Sequence, residues 1–81
     1  MKKIKKIENI YIFKTFKDNE LLKVSDWGFA DFDNAVEYLE KKGFIRKYKD
    51  EEIEDLAFWK YKVYTLDGYE VMIDKLTLLD N

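Results

Sequence analysis

The side chains able to do chemistry in this chain are few in kind. It has neither Cys nor His, which removes thiol nucleophiles, imidazole acid–base catalysis, disulfide frameworks and N/S-ligated zinc or haem sites. What remains is carboxylates, lysines and hydroxyls. Two carboxylate groupings have suggestive spacing: Asp31-x-Asp33, and the run Asp50, Glu51, Glu52, Glu54 and Asp55. Paired carboxylates can share acid–base work or hold a hard cation. Neither grouping supplies the alternating oxygen ligands around a central Gly that a calcium loop needs, so no metal is expected. Catalysis by two carboxylates needs a cleft, which a domain this small rarely forms alone. Gly28, Gly43 and Gly68 are too far apart to make a phosphate-cradling loop. The expectation is a protein that is not an enzyme and carries no cofactor.

The other unusual class is aromatic, at 17% of the chain with Trp27, Trp59, six Tyr and six Phe. That exceeds what a small core requires, and surplus aromatics collect at interfaces. Among the 15 cations only Arg46 is Arg, although Arg is the better bidentate reader of phosphate and guanine.

Net charge is −2, from 15 basic and 17 acidic side chains, but the charges are laid out in blocks. Residues 1–25 are basic on balance, and residues 26–40 hold Asp26, Asp31, Asp33, Glu37 and Glu40 with no cation. Lys41, Lys42, Arg46, Lys47 and Lys49 follow, and then the acidic run from Asp50 to Asp55. Such runs mark solvated turns or surface that faces a partner.

With 81 residues the chain fits one domain, residues 1–81. Lys2, Lys3, Lys5 and Lys6 precede no sufficiently long apolar run, so no signal peptide is expected. No window approaches the length of a membrane span, and a cytoplasmic location is expected.

The clearest element is a helix over residues 31–42. Phe32, Ala35, Val36 and Leu39 form one apolar stripe, Asp31 can cap the start, and Gly43 with Phe44 after it suits a Schellman stop. Its outward side chains are then Asp33, Asn34, Glu37, Tyr38, Glu40 and Lys41. Residues 44–49 read as a strand and the acidic run as a loop. In residues 58–65, Trp59, Tyr61, Val63 and Thr65 alternate with Lys60 and Lys62 as in a half-buried strand whose Trp59 and Tyr61 face the core.

Two stretches stay open on pattern alone. Residues 69–79 suit either a helix striped by Tyr69, Met72, Ile73, Leu76 and Leu79, or the return strand of a hairpin. A three-residue loop with Gly68 in the bulge position suits that hairpin better than a two-residue loop, which would set Lys60 against Lys75. The first third suits a helix apolar nearly all round, packed on a second chain, or a hairpin of residues 9–16 and 21–25 about Asp18-Asn19.

Taken in order, Ser25-Asp26-Trp27-Gly28-Phe29, the run from Asp31 to Ile45, and Tyr64-Thr65-Leu66-Asp67-Gly68-Tyr69-Glu70-Val71 resemble a winged helix-turn-helix domain. They look in particular like the small YjcQ-like proteins of low-GC Gram-positive bacteria and their phages. The resemblance implies a mainly helical α+β fold: helices over residues 3–17, 25–28, 31–42 and 69–79, a short strand at 21–23, and a two-stranded wing from residues 44–49 and 58–66. The alternative is two β-hairpins packed on one helix.

A winged helix commonly places its third helix in the DNA major groove. Here that helix presents Asp33, Glu37 and Glu40 against Lys41, and the wing tip is acidic, which is the wrong sign for phosphate. The leading expectation is therefore a protein-binding module, such as a phage-derived inhibitor or regulator, that docks on a basic protein groove through Trp27, Phe29, Asp33, Glu37 and Tyr38. Trp27 and Phe29 have a plainer reading as a plug on the small core. The second expectation is a DNA-binding regulator using Arg46, Lys47, Lys49, Lys60 and Lys62. Self-association as a homodimer through residues 4–16 is also expected, from the all-round apolar helix.

Overall fold

From Ile10 to Phe16 apolar side chains occupy both parities of the chain, which on pattern suits a strand covered on two faces as well as a buried helix. In the computed structural model, which describes residues 6–53 and 55–80 and the side chains within residues 9–53 and 59–77, this stretch is strand. The elements run β1 (Lys6–Lys17), β2 (Glu20–Phe29), α1 (Phe32–Lys41), β3 (Ile45–Arg46), β4 (Val63–Leu66) and β5 (Tyr69–Asp80). Short 3₁₀ turns at Asp50–Glu52 and Asp55–Lys62 lie between β3 and β4. The five strands form one antiparallel sheet in the order β2-β1-β5-β4-β3.

The mainly helical winged helix is therefore not the fold. Residues 3–17, implied as a first helix, are β1 from Lys6 onward, with residues 3–5 outside the described residues. Residues 25–28 are not a second helix but part of β2, which also contains the short strand implied at 21–23. Residues 69–79 are not a closing helix; they belong to β5, which pairs with β1 from Lys6↔Asp80 to Lys17↔Tyr69. Of the wing strands, only Ile45–Arg46 and Val63–Leu66 pair. The architecture is two hairpins, β1–β2 and β4–β5, joined through β1 and β5, with one helix on one face.

The physical reason is the same at both ends of the chain. A strand buried on two faces carries neighbouring apolar residues, here Tyr11-Ile12-Phe13 and Val71-Met72-Ile73, and these imitate a helical stripe. The β4–β5 turn has two residues rather than three, with Asp67 at φ 51° and Gly68 at φ 85° and Leu66 opposite Tyr69. Consecutive left-handed residues are what a type I′ hairpin requires. The clash of Lys60 with Lys75 does not arise, because Lys60 lies in the 3₁₀ segment before the strand starts.

Helix α1 forms as its sequence signals. The Asp31 carboxylate accepts from the Asp33 N–H at 3.0 Å. At the other end Phe44 N–H donates to Leu39 O and Gly43 N–H to Glu40 O, both at 3.0 Å, with Gly43 at φ 101°, as in a Schellman motif. The core is the contact of this helix with one sheet face: Ala35 and Leu39 against Phe13, Tyr64, Val71 and Ile73. The other face is covered at one end by Tyr48 and Trp59 over Phe16, Val63 and Met72. Trp59, expected in the core, remains 46% exposed there.

Candidate functional site: an acidic and aromatic corner

Past a first one-residue irregularity at Leu22, strand β2 pairs with β1 through Lys23 and Val24, which face Thr15 and Lys14, and is paired again at Gly28, which faces Ile12. Ser25, Asp26 and Trp27 together therefore stand opposite Phe13, a wide bulge. Ser25 makes the bulge stable. Its hydroxyl accepts from the Phe13 N–H at 3.0 Å and donates to the Trp27 carbonyl at 2.7 Å, standing in for the ladder carbonyl that the bulge displaces. Strand pairing resumes at Gly28 only because that residue has no side chain. A Cβ there would lie 2.2 Å from Tyr11 O and 2.8 Å from the Ile10 Cγ2.

The bulge aims Trp27 at the helix side of the sheet. Its ring meets Phe13 at 5.5 Å, Phe29 at 5.9 Å and Tyr38 of α1 at 5.0 Å, edge to face in each case. Tyr38 also stacks on Phe13 at 5.5 Å and packs on Phe29 at 5.5 Å, and the Lys42 ammonium sits over its ring at 5.0 Å. Tyr38, expected to point outward, is thus half-buried and binds the helix to β2. Trp27 keeps 45% of its surface exposed. It is both the core plug and an available aromatic surface.

Three of the five expected partner-binding residues, Trp27, Phe29 and Tyr38, therefore form one cluster. Glu37 adjoins it, lining a shallow depression of about 190 Å³ with Phe29, Asn34, Tyr38 and Lys41. Asp33 does not join; it sits exposed in the first turn of α1, where a carboxylate suits the helix dipole.

The charge blocks are not equivalent in space. In the later acidic run one carboxylate meets a cation, Asp50 paired with Arg46 at 2.9 Å; Glu52 accepts from the Lys49 backbone N–H at 2.7 Å, and Lys60 Nζ donates to the Glu52 carbonyl at 3.4 Å. Asp26, Glu37 and Glu40 in the earlier block carry no such contact. Among the described residues no cation or hydrogen-bond donor reaches their side chains. Of these carboxylates, Glu37 lies beside the aromatic cluster.

The expected nucleic-acid set is dispersed among internal partners. Lys47 pairs with Glu70, a hydrogen bond that raises its pKa above the ordinary lysine value. Lys47 and Lys60 approach the Tyr48 ring from 5.3 and 5.1 Å, Lys62 lies over Tyr61 at 5.8 Å, and Lys49 is exposed. Tyr48 in turn packs on Trp59 at 6.0 Å. Lys47, Tyr48 and Trp59 line one depression with Phe16, Val63 and Met72, whereas Tyr61, beneath Lys62, packs on Phe32 of α1 at 5.4 Å.

Ser25, Gly28 and the Lys14–Asp74 pair at 2.8 Å were not singled out by sequence reasoning. The Ser-Asp-Trp-Gly run interrupting an alternating pattern was the available sign of a bulge. No helix among the described residues is long and apolar enough to cross a membrane. Compared with protein-family models, curated proteins and solved structures, the chain matches none, and the function of this corner is argued from its geometry.

Proposed function

We propose that the protein acts by binding another protein that presents a basic surface, and that it performs no chemistry itself. The contact is made by Trp27, Tyr38 and Glu37, with Phe29 beneath them and Asp33 at the margin. One observation carries this: a tryptophan 45% exposed, yet held by three rings, stands in a cluster whose neighbour Glu37 has no ion-pair partner among the described residues. An aromatic anchor fixed before binding loses little entropy on docking. An unpaired carboxylate beside it attracts Lys or Arg and sets orientation.

The second reading is nucleic-acid binding through Arg46, Lys47, Lys49, Lys60 and Lys62. Its support is the interleaving of Lys47 and Lys60 with Tyr48 and the exposed Trp59, a pattern that suits stacked bases. Against it, Arg46 and Lys47 are already paired with carboxylates.

Capture of partners by the tagged protein at low and moderate salt separates the two. The expected result is a protein partner retained by the wild type and lost with Trp27→Ala and with Glu37→Lys. Salt-steep binding to DNA fragments that disappears with Lys47→Glu or Lys60→Glu, with capture indifferent to Trp27 and Glu37, would overturn the proposal.

A further inference from the structure

Behind the bulge, on the sheet face away from α1, a groove of about 730 Å³ opens. Its aliphatic lining is Ile10, Ile12 and Leu76, with Gly28, Ser25 and Trp27 of the bulge and Asn9 at the rim. At Gly28 the backbone of β2 approaches Tyr11 and the Ile10 side chain too closely for a Cβ, so this wall of the groove is main chain. Leu76 on its wall is 47% exposed. Asp26, displaced from the ladder by the bulge, lines the same groove. Among the described residues it has no hydrogen-bond or ion-pair partner.

An aliphatic channel with one unpaired carboxylate matches one kind of side chain, a long hydrocarbon stem ending in a cation. A neutral apolar group would bury the walls and gain nothing from the exposed Asp26; a small hydrated cation would reach Asp26 and leave the walls wet. We propose that this groove receives a lysine or arginine side chain of the partner, the stem lying along Ile10, Ile12 and Leu76 and the charge reaching Asp26. The proposal rests on the reading of the partner as a basic protein. It makes the β2 bulge a two-sided contact, the Trp27 ring packed with Phe13, Phe29 and Tyr38 on one side and the groove, which Trp27 also borders, on the other.

The groove can be tested without the partner. Methyl resonances of Ile10, Ile12 and Leu76 are followed by NMR while n-butylguanidinium is titrated into the full chain, with n-pentanol as a neutral probe of similar length. The expected result is a saturable shift of these methyls by the guanidinium, with an affinity about threefold to tenfold above that of pentanol, falling to the pentanol level with Asp26→Asn. Asp26 is exposed, so that variant leaves the fold intact, and Leu76→Ser should weaken both probes. Equal affinity of the two probes, no shift, or a response unchanged by Asp26→Asn would overturn the proposal. So would shifts of the same methyls with protein concentration alone, which would place a second copy in the groove. Failure of the surface around Trp27 shows instead in the capture experiment, through indifference to Trp27→Ala and Glu37→Lys, and leaves these titrations unaffected.

Discussion

Gly28 has no room for a methyl group. A Cβ placed 2.2 Å from the Tyr11 carbonyl forces β2 away from β1, and over-packing of this kind costs about 1–3 kcal/mol. Gly28→Ala should lower stability by about 3 kcal/mol in a denaturant titration and, because the strand shift moves Trp27, should change the tryptophan emission of the folded state. Ser25 is tested the same way. Removing its hydroxyl leaves the half-buried Phe13 N–H without its partner, at about 1–2 kcal/mol, so Ser25→Ala should destabilise by that amount while Ser25→Thr keeps most of it. Neither role is legible in the residue types alone. Gly and Ser near a tryptophan fit a turn as readily as a bulge, and only the pairing of β2 with a strand already in place decides between them. The aromatic cluster was half legible: Trp27, Phe29 and Tyr38 could be nominated as surplus rings, but that Phe13 sits among them depends on pairing between distant segments.

Among the elements, α1 was read correctly because every signal for it is local. Its cap, stripe and stop lie within fourteen residues from Asp31 to Phe44. Asp31→Ala should cost about 1 kcal/mol, and Gly43→Ala about the same, since its φ of 101° strains any residue with a Cβ while the nearest atoms, of Leu66, are 3.7 Å away. Both changes should leave the sheet intact by circular dichroism. Strands β1 and β5 were misread because their stability is non-local. Each is covered on both faces over part of its length, and their apolar positions satisfy a helical period by coincidence. The DG turn before β5 was the stronger evidence for a hairpin, and the register that disfavoured a two-residue loop failed because it carried β4 back through Lys60, where the chain is already in a 3₁₀ turn.

At the scale of the whole molecule, the near-neutral net charge conceals an unequal distribution. Of the cations from Lys42 to Lys62, Arg46 and Lys47 are engaged by carboxylates and Lys42, Lys60 and Lys62 by tyrosine rings, while Glu37 beside the Trp27 cluster has no ion-pair partner among the described residues. The paired groups also set the pH limits of stability. The hydrogen bond from Lys14 holds Asp74 below the usual carboxylate range, so its contribution is complete above the ordinary value and is lost as pH falls through its lower folded value, below about pH 4. Burial raises the Tyr64 phenol, and its hydrogen bond to Glu70 raises Lys47. Both contributions are complete below about pH 10 and drain away above it. Thermal melts should therefore show an alkaline limb that Tyr64→Phe flattens. The two tryptophans mark the two rival surfaces, Trp27 at the acidic corner and Trp59 beside the lysines. The protein labelled with 5-fluorotryptophan has one fluorine reporter at each. On addition of the captured partner the Trp27 resonance is expected to shift while that of Trp59 stays in place. A shift confined to Trp59, with the partner or with DNA, would contradict it.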